Sequence, residues 1–290
     1  MSAALVGAGL STLAYVLITK RQSPMFVSSS GAFVAPVLLA LGVGGYTAVA
    51  IGGLVSCVVY CLFGLIFSKI PVEHIYKIFP SSLIGAVTAV IGINLMPFIL
   101  TYVQIDGVTS QWGIVIALIT MFSIAIISHY AKGICRILPF LLGTLIGYGV
   151  AAILTVTNIY PIIDFSVFSD MKLFVVPDFA FSNWTAIEFT TILPVIIIYI
   201  AYTISAMMEC LSDHAALGNI IGIDLYQTPG LSRIFIGEGV ANLIGTSVGG
   251  LGICSYGEGV GCVGFSKVAS TDVTLLAAGI TILLGFLGPV

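Results

Sequence analysis

Charge is what this sequence has least of. Asp, Glu, Lys and Arg make up 7% of its 290 residues while hydrophobic residues make up 59%, against roughly 25% charged in an ordinary soluble domain. Polar surface is therefore too scarce to cover a globule in water, and the solvent is lipid. A basic cluster and an aromatic RNA-binding motif are also missing. With a net charge of -3 spread along the chain, nucleic-acid binding has no support. The three histidines show neither His-rich nor Ser-His-Asp spacing, which leaves an enzyme without a nucleophile and base or a metal constellation. Low-complexity linkers are absent. So are Lys and Arg ahead of the first apolar run, and no polar cleavage site follows it, so that run reads as a span rather than a signal peptide.

Cysteine is present but forms no framework. Cys57, Cys61, Cys135, Cys210, Cys254 and Cys262 lie mostly in apolar stretches, where a thiol behaves as a small hydrophobe. Cys57 and Cys61 are one helical turn apart, yet no His or further Cys stands beside them to complete a metal site. No cofactor is expected.

What is there is a succession of apolar stretches of about twenty residues, the length that crosses roughly 30 Å of hydrocarbon. They fall near 2–19, 26–43, 46–68, 80–103, 112–128, 137–157, 190–217, 231–248, 252–265 and 272–290, and predict ten crossings. Lys20, Arg21, Lys69, Lys77, Lys132, Arg136, Arg233 and Lys267 then share one side, with Lys172 alone on the other. The positive-inside rule makes that side the cytoplasm and predicts a multi-pass protein of the plasma membrane, the inner membrane in a Gram-negative cell. The first residue lies outside, as does the 158–189 segment with Asp164, Asp170, Asp178 and Trp184, read as an external loop with room for short strands. The chain stops at Val290 inside an apolar run, and reads as a fragment.

Two crossings are interrupted by small and polar residues, at Ser28-Ser29-Ser30-Gly31-Ala32-Phe33 and at Cys254-Ser255-Tyr256-Gly257-Glu258-Gly259. Unwound backbone at membrane depth survives only where protein buries it or it lines a polar cavity. Paired interruptions in the two halves of a chain point to the midplane site of an inverted-repeat transporter. Close helix packing by small residues is the alternative for Ser28 to Gly31; packing has no need of Glu258.

Four carboxylates lie within spans: Glu209, Asp213, Glu238 and Glu258. Each costs at least about 2.5 to 3.5 kcal/mol on insertion scales, so each is expected to face a cavity or a partner. Glu209 and Asp213, four residues apart, share one wall of a helix. Two carboxylates that close in a low dielectric do not both hold charge without a cation or donor between them, which suits proton coupling. His214 points about 100° away from Asp213 on a helix and reads as structural. Glu238, in Gly237-Glu238-Gly239, is expected to pair with a backbone donor, Arg233 or another helix. Glu258 stands at the start of a half-helix, where free N–H groups favour an acid. The set suits a polar substrate with planar N–H and C=O groups, without choosing among them.

These residues resemble the nucleobase-ascorbate transporter family, the nucleobase-cation symporters that include bacterial uracil and xanthine permeases. The likeness covers nearly the whole chain. It is carried by Glu209-Cys210-Leu211-Ser212-Asp213 with Asn219-Ile220, Pro229-Gly230-Leu231, Gly237-Glu238-Gly239, Tyr256-Gly257-Glu258-Gly259-Val260-Gly261 and Ser28 to Pro36. The resemblance implies an all-α polytopic membrane transporter of fourteen spans in two inverted repeats, with two interrupted helices and core and gate domains. This chain would start at the second span and end in the eleventh. Residues 1–79 and 190–290 would be core, and 80–189 gate spans and the external loop.

The implied function is secondary active import of a nucleobase by proton symport with alternating access, sodium not being excluded. Glu209 and Glu258 would bind the base, with Ser30, Gly31, Gly257 and Tyr256 around it, and Asp213 with Glu209 would couple the proton. Asp213 matches xanthine-type members and Glu258 matches uracil permeases, so uracil is expected first and xanthine second. Cys210 departs from the common pattern. The bilayer is a partner, and a homodimer is open. The competing readings are a sulfate-type anion transporter of the same fold, against which two glutamates argue, and a channel or membrane-embedded enzyme.

Overall fold

The computed structural model describes residues 2–94, 104–105, 108–136, 138–165 and 173–287. Asp170, Lys172, the end of the 80–103 span and the last three residues of the 272–290 span lie outside them.

Backbone in lipid must satisfy its own N–H and C=O groups, and nearly every apolar run accordingly closes into a helix. In chain order the elements are α1 (Ser2–Ile18), β1 (Val27–Ser29), α2 (Val34–Phe67), α3 (Val72–Ile78), α4 (Ser81–Asn94), β2 (Gln104–Ile105) and β3 (Val108–Thr109). They continue with α5 (Gln111–Tyr130), α6 (Pro139–Val156), α7 (Phe189–Ile221), α8 (Leu231–Val248), β4 (Ile253–Ser255), α9 (Gly257–Ser266) and α10 (Thr271–Leu284). Among the described residues, the segments Gly31–Phe67, Gln111–Tyr130, Pro139–Val156 and Phe189–Ile221 are long and apolar enough to cross a membrane, while α1 and α10 are shorter apolar helices.

The spans expected at 26–43 and 46–68 meet in α2, whose 34 residues would reach roughly 51 Å at 1.5 Å per residue if straight. It is not straight. Gly44 (φ −155°, ψ 23°) and Gly45 (φ 60°, ψ −150°) break it, and the Gly45 conformation is essentially open to glycine alone. The break expected between 43 and 46 is thus a bend and not a loop. The seven-residue α3, with Glu73 in its first turn and Lys77 in its last, falls where the sequence reading had only a charged connection. The 158–189 segment carries a 3₁₀ turn at Ala180–Asn183 and an isolated bridge from Phe174 to Leu287.

Contacts divide the chain into two units. The first comprises Met1–Gly92, Lys172–Gly264 and Val268–Val290. Within it α8 packs against α1 and α2, α2 also against α7, and α1 against α10. Its interior holds Tyr15, Phe33, Tyr60, Tyr199, Met207, Leu211 and Phe235. Since α8 carries buried Glu238, Asn242 and Thr246, it is fit for a bilayer only because α1 and α2 cover it. Lipid-type side chains such as Leu17, Leu54, Val58, Leu62 and Ile197 point outward. The second unit comprises Ile93–Met171 and Phe265–Lys267; α5 packs on α6, and β2 pairs with β3 through Gln104↔Thr109 and Ile105↔Val108.

Candidate functional site

Both interrupted segments solve their backbone problem by pairing with each other. β1 runs antiparallel to β4 in the register Val27↔Ser255, Ser28↔Cys254 and Ser29↔Ile253. Ser30 N donates to Gly252 O (2.9 Å) and Tyr256 N to Phe26 O (3.0 Å), which extends the ladder at both ends. Each strand leads straight into a helix. Ser30 caps the 3₁₀ turn Gly31–Phe33, its Oγ accepting from Ala32 N at 3.1 Å, and α2 follows. On the other strand Tyr256 O accepts from Gly259 N at 2.9 Å as α9 begins. The antiparallel register puts the two helix starts, with their free N–H groups and positive dipole ends, at opposite ends of the ladder.

One turn of α7 touches both segments. Glu209 Oε2 accepts a hydrogen bond from Ser30 Oγ at 2.6 Å. Four residues on, Asp213 lies against the Cα of Gly257: a Cβ there would stand 3.2 Å from Asp213 Oδ1. Asp213 Oδ2 is buried without a hydrogen-bond partner. Glu258 is exposed in the first turn of α9, near enough to Glu209 and Asp213 to interact with both electrostatically. Tyr256 is 37% exposed and meets Phe26 edge-on, with centroids 6.4 Å apart. Gly31 is half-buried. Among the described residues none of Glu209, Asp213, Glu238 and Glu258 pairs with Lys or Arg; the ion pair there is Arg21 with Asp272.

Glu238 finds its partner on the ladder. Ser255 Oγ donates to its Oε1 at 2.8 Å, Oε2 has no partner, and Arg233 instead donates to Pro229 O at 3.2 Å. His214 is fully buried and ties α7 to α1. Its Nδ1 lies 2.7 Å from the Cys210 carbonyl, which can only accept, so Nδ1 carries a proton. Its Nε2 lies 2.6 Å from the Tyr15 hydroxyl, which in turn is 3.1 Å from Ser23 Oγ. Cys210, His214 and Glu238 bring possible ligand atoms within 4.8 Å of one another, but both imidazole nitrogens are engaged, by the Cys210 carbonyl and the Tyr15 hydroxyl, so the trio lacks the free His lone pair that a metal needs.

A cavity of about 380 Å³ lies farther along α7, lined by His214, Asn219, Asp224, Tyr226 and Tyr76 among others. Tyr76 and Tyr226 stack at 5.4 Å, and Tyr226 OH donates to Leu211 O at 2.7 Å. Sequence reading gave no sign of it, since its walls come from segments 140 or so positions apart.

A family model described as Permease family, the Xan_ur_permease model, matches residues 1–290. The chain belongs to this permease family. It is accordingly a multi-pass transporter-family protein of the plasma membrane and not an enzyme. The uracil permease of Paenibacillus larvae subsp. larvae is 31% identical over 97% of the chain and 65% of its own length. That of Bacillus caldolyticus is 31% identical over 100% and 66%, and a putative pyrimidine permease, RutG, of Escherichia coli is 31% identical over 96% and 62%. The permease-family chain therefore spans just under two thirds of the length of these relatives. Among solved structures it is similar to the transmembrane domain of the cyanobacterium bicarbonate transporter BicA. The TM-score is 0.53 at 14% identity, covering 98% of this chain and 79% of that one. At that identity the likeness is one of fold.

Proposed function

We propose that the complete protein imports a nucleobase, uracil first and xanthine second, by proton-coupled symport with alternating access. In this reading residues 1–79 and 190–290 form the substrate-holding core and 80–189 belong to the gate. The observation that carries it is that a single turn of α7 sets Glu209 on Ser30 and Asp213 on Gly257. Carboxylate acceptors thereby stand next to the free N–H groups of two helix starts. A planar base with adjacent N–H and C=O groups matches that alternation. Glu209 and Glu258 accept its N–H groups, backbone at Gly31 and Gly257 donates to its carbonyls, and Tyr256 flanks the ring. Charge-assisted bonds of this kind are worth about 1.5 to 3 kcal/mol each. Asp213, with an unpartnered oxygen, is the proton-coupling group beside Glu209. Four carboxylates without a Lys or Arg partner among the described residues oppose an anionic substrate. The names of the relatives, uracil and pyrimidine permeases, support the same cargo.

Uptake of labelled uracil by the complete protein, with unlabelled xanthine as competitor and with the proton gradient present or collapsed, tests the reading. Glu209→Gln and Glu258→Ala are expected to abolish uptake while the protein still inserts in the membrane. Undiminished uptake in both variants would sink it, and uptake driven by sodium alone would replace the proton.

A further inference from the structure

We propose that Ser30 is a positioning residue for Glu209 and not itself a ligand of the base: it holds the carboxylate so that one oxygen, Oε1, faces the site and reads a single N–H. The inference rests on Glu209 being a base ligand.

The polar groups of Ser30 are all engaged within the fold. Its N–H goes to Gly252 O at 2.9 Å, and its C=O accepts from Phe33 N at 3.1 Å. Its hydroxyl accepts from Ala32 N at 3.1 Å and gives its one proton to Glu209 Oε2 at 2.6 Å, the short distance of a hydroxyl bound to a carboxylate. The residue is 5% exposed. A hydroxyl has one proton, and this one is committed, so Ser30 has nothing to donate to a substrate. Ala32 N–H orients the hydroxyl, and the hydroxyl orients the carboxylate. Among the described residues Glu209 Oε1 takes no hydrogen bond, and unlike Asp213 Oδ2 and Glu238 Oε2 it is not sealed from its surroundings. An unrestrained Glu has several rotamers to lose when a ligand fixes it; here that loss has occurred on folding. Fixing one oxygen also makes the site geometric. It accepts a base whose N–H stands at the right place and rejects one carrying a methyl there.

The test uses the complete protein. In Ser30→Ala the KM for uracil is expected to rise about tenfold, the net worth of roughly one hydrogen bond to a charged group, with the maximal rate per inserted molecule little changed. Discrimination against whichever of 1-methyluracil and 3-methyluracil competes worse in the wild type is expected to fall several-fold. Ser30→Thr, which keeps the hydroxyl, should restore both; a merely structural defect would lower the rate for every base and leave that ratio alone. An unchanged KM and an unchanged methyl ratio in Ser30→Ala overturn the inference. A second readout needs no base: labelling of Glu209 by a membrane-permeant carbodiimide, followed by mass spectrometry. It should run several-fold faster in Ser30→Ala than in wild type or Ser30→Thr, and equal rates overturn the inference whatever the protein carries. Wild-type protein that takes up no nucleobase while the labelling difference holds removes the proposed cargo and leaves the Ser30–Glu209 assignment standing.

Discussion

Asp213 Oδ1 stands 3.2 Å from where a Cβ on Gly257 would lie. The second interrupted segment is therefore met by a carboxylate packed on bare backbone, whereas the first is met through the Ser30 side chain at 2.6 Å from Glu209. The two ends of the ladder are read by one helix, yet by different chemistry.

Gly257→Ala follows from this. The added carbon would sit closer to Asp213 than nearly all Cβ contacts do, and the carboxylate must give way by a few tenths of an ångström. Gly257 is exposed, so the fold should hold. The expected result is insertion at wild-type levels with the KM for uracil raised several-fold. Wild-type KM would show that the place of Asp213 does not matter to binding.

Tyr15→Phe addresses the tie between α1 and α7. The lost hydroxyl leaves His214 Nε2 and Ser23 Oγ, both fully buried, without the partner they have at 2.6 and 3.1 Å. Orphaning a buried polar group costs about 1–3 kcal/mol, and thermal unfolding of the detergent-solubilised protein should come several degrees earlier. Because Ser23 acts through the same hydroxyl, Ser23→Ala added to Tyr15→Phe should cost less than it does alone. Strict additivity would mean the three groups do not work together.

These residues also mark where the sequence was legible. Ser28 to Gly31 and Tyr256 to Gly259 stood out because small polar residues interrupting an apolar run are costly in lipid. Glu209 and Asp213 were placed on one wall by helical spacing alone. What spacing could not supply was partnership. Ser29 pairs with Ile253 across 224 positions, and nothing local says that two interruptions will satisfy each other. Arg233, five residues before Glu238, was a candidate by proximity, but Ser255 of β4 holds Glu238 instead. Likewise Tyr15 of α1 meets His214 of α7 across 199 positions, a fact of tertiary packing rather than pattern.

Ser255→Ala tests the buried acid. With Oε2 of Glu238 already unpartnered, loss of the 2.8 Å bond to Oε1 leaves a fully buried carboxyl still less satisfied. A drop in stability of about 1–3 kcal/mol is expected. Adding Glu238→Leu should recover part of it, since removing both members of a buried polar pair is milder than removing one. A double variant less stable than Ser255→Ala alone would show that Glu238 is held chiefly by other groups.

The approach of α2 to α8 is the sharpest steric constraint on the same region. A Cβ on Gly53 would fall 1.8 Å from Thr246 Oγ1, 2.8 Å from its Cβ and 3.0 Å from its Cγ2. Thr246 cannot simply rotate aside, because its hydroxyl donates to Asn242 O at 2.8 Å and the residue is fully buried. Gly53→Ala must therefore push the helices apart, at about 1–3 kcal/mol for overpacking, and small residues are what allow membrane helices to approach so closely. Thr246→Ala should rescue it in part: Oγ1 and Cγ2 are gone, but a Cβ at 2.8 Å remains. Thermal unfolding should thus rank Gly53→Ala below Gly53→Ala with Thr246→Ala, although Thr246→Ala alone is neutral or mildly destabilising. Purely additive shifts would deny the contact. Uptake should track the same ranking, because α2 continues from the Gly31 turn and α8 carries Glu238, so a wedge between them displaces both ends of the ladder on which Glu209 and Asp213 rest.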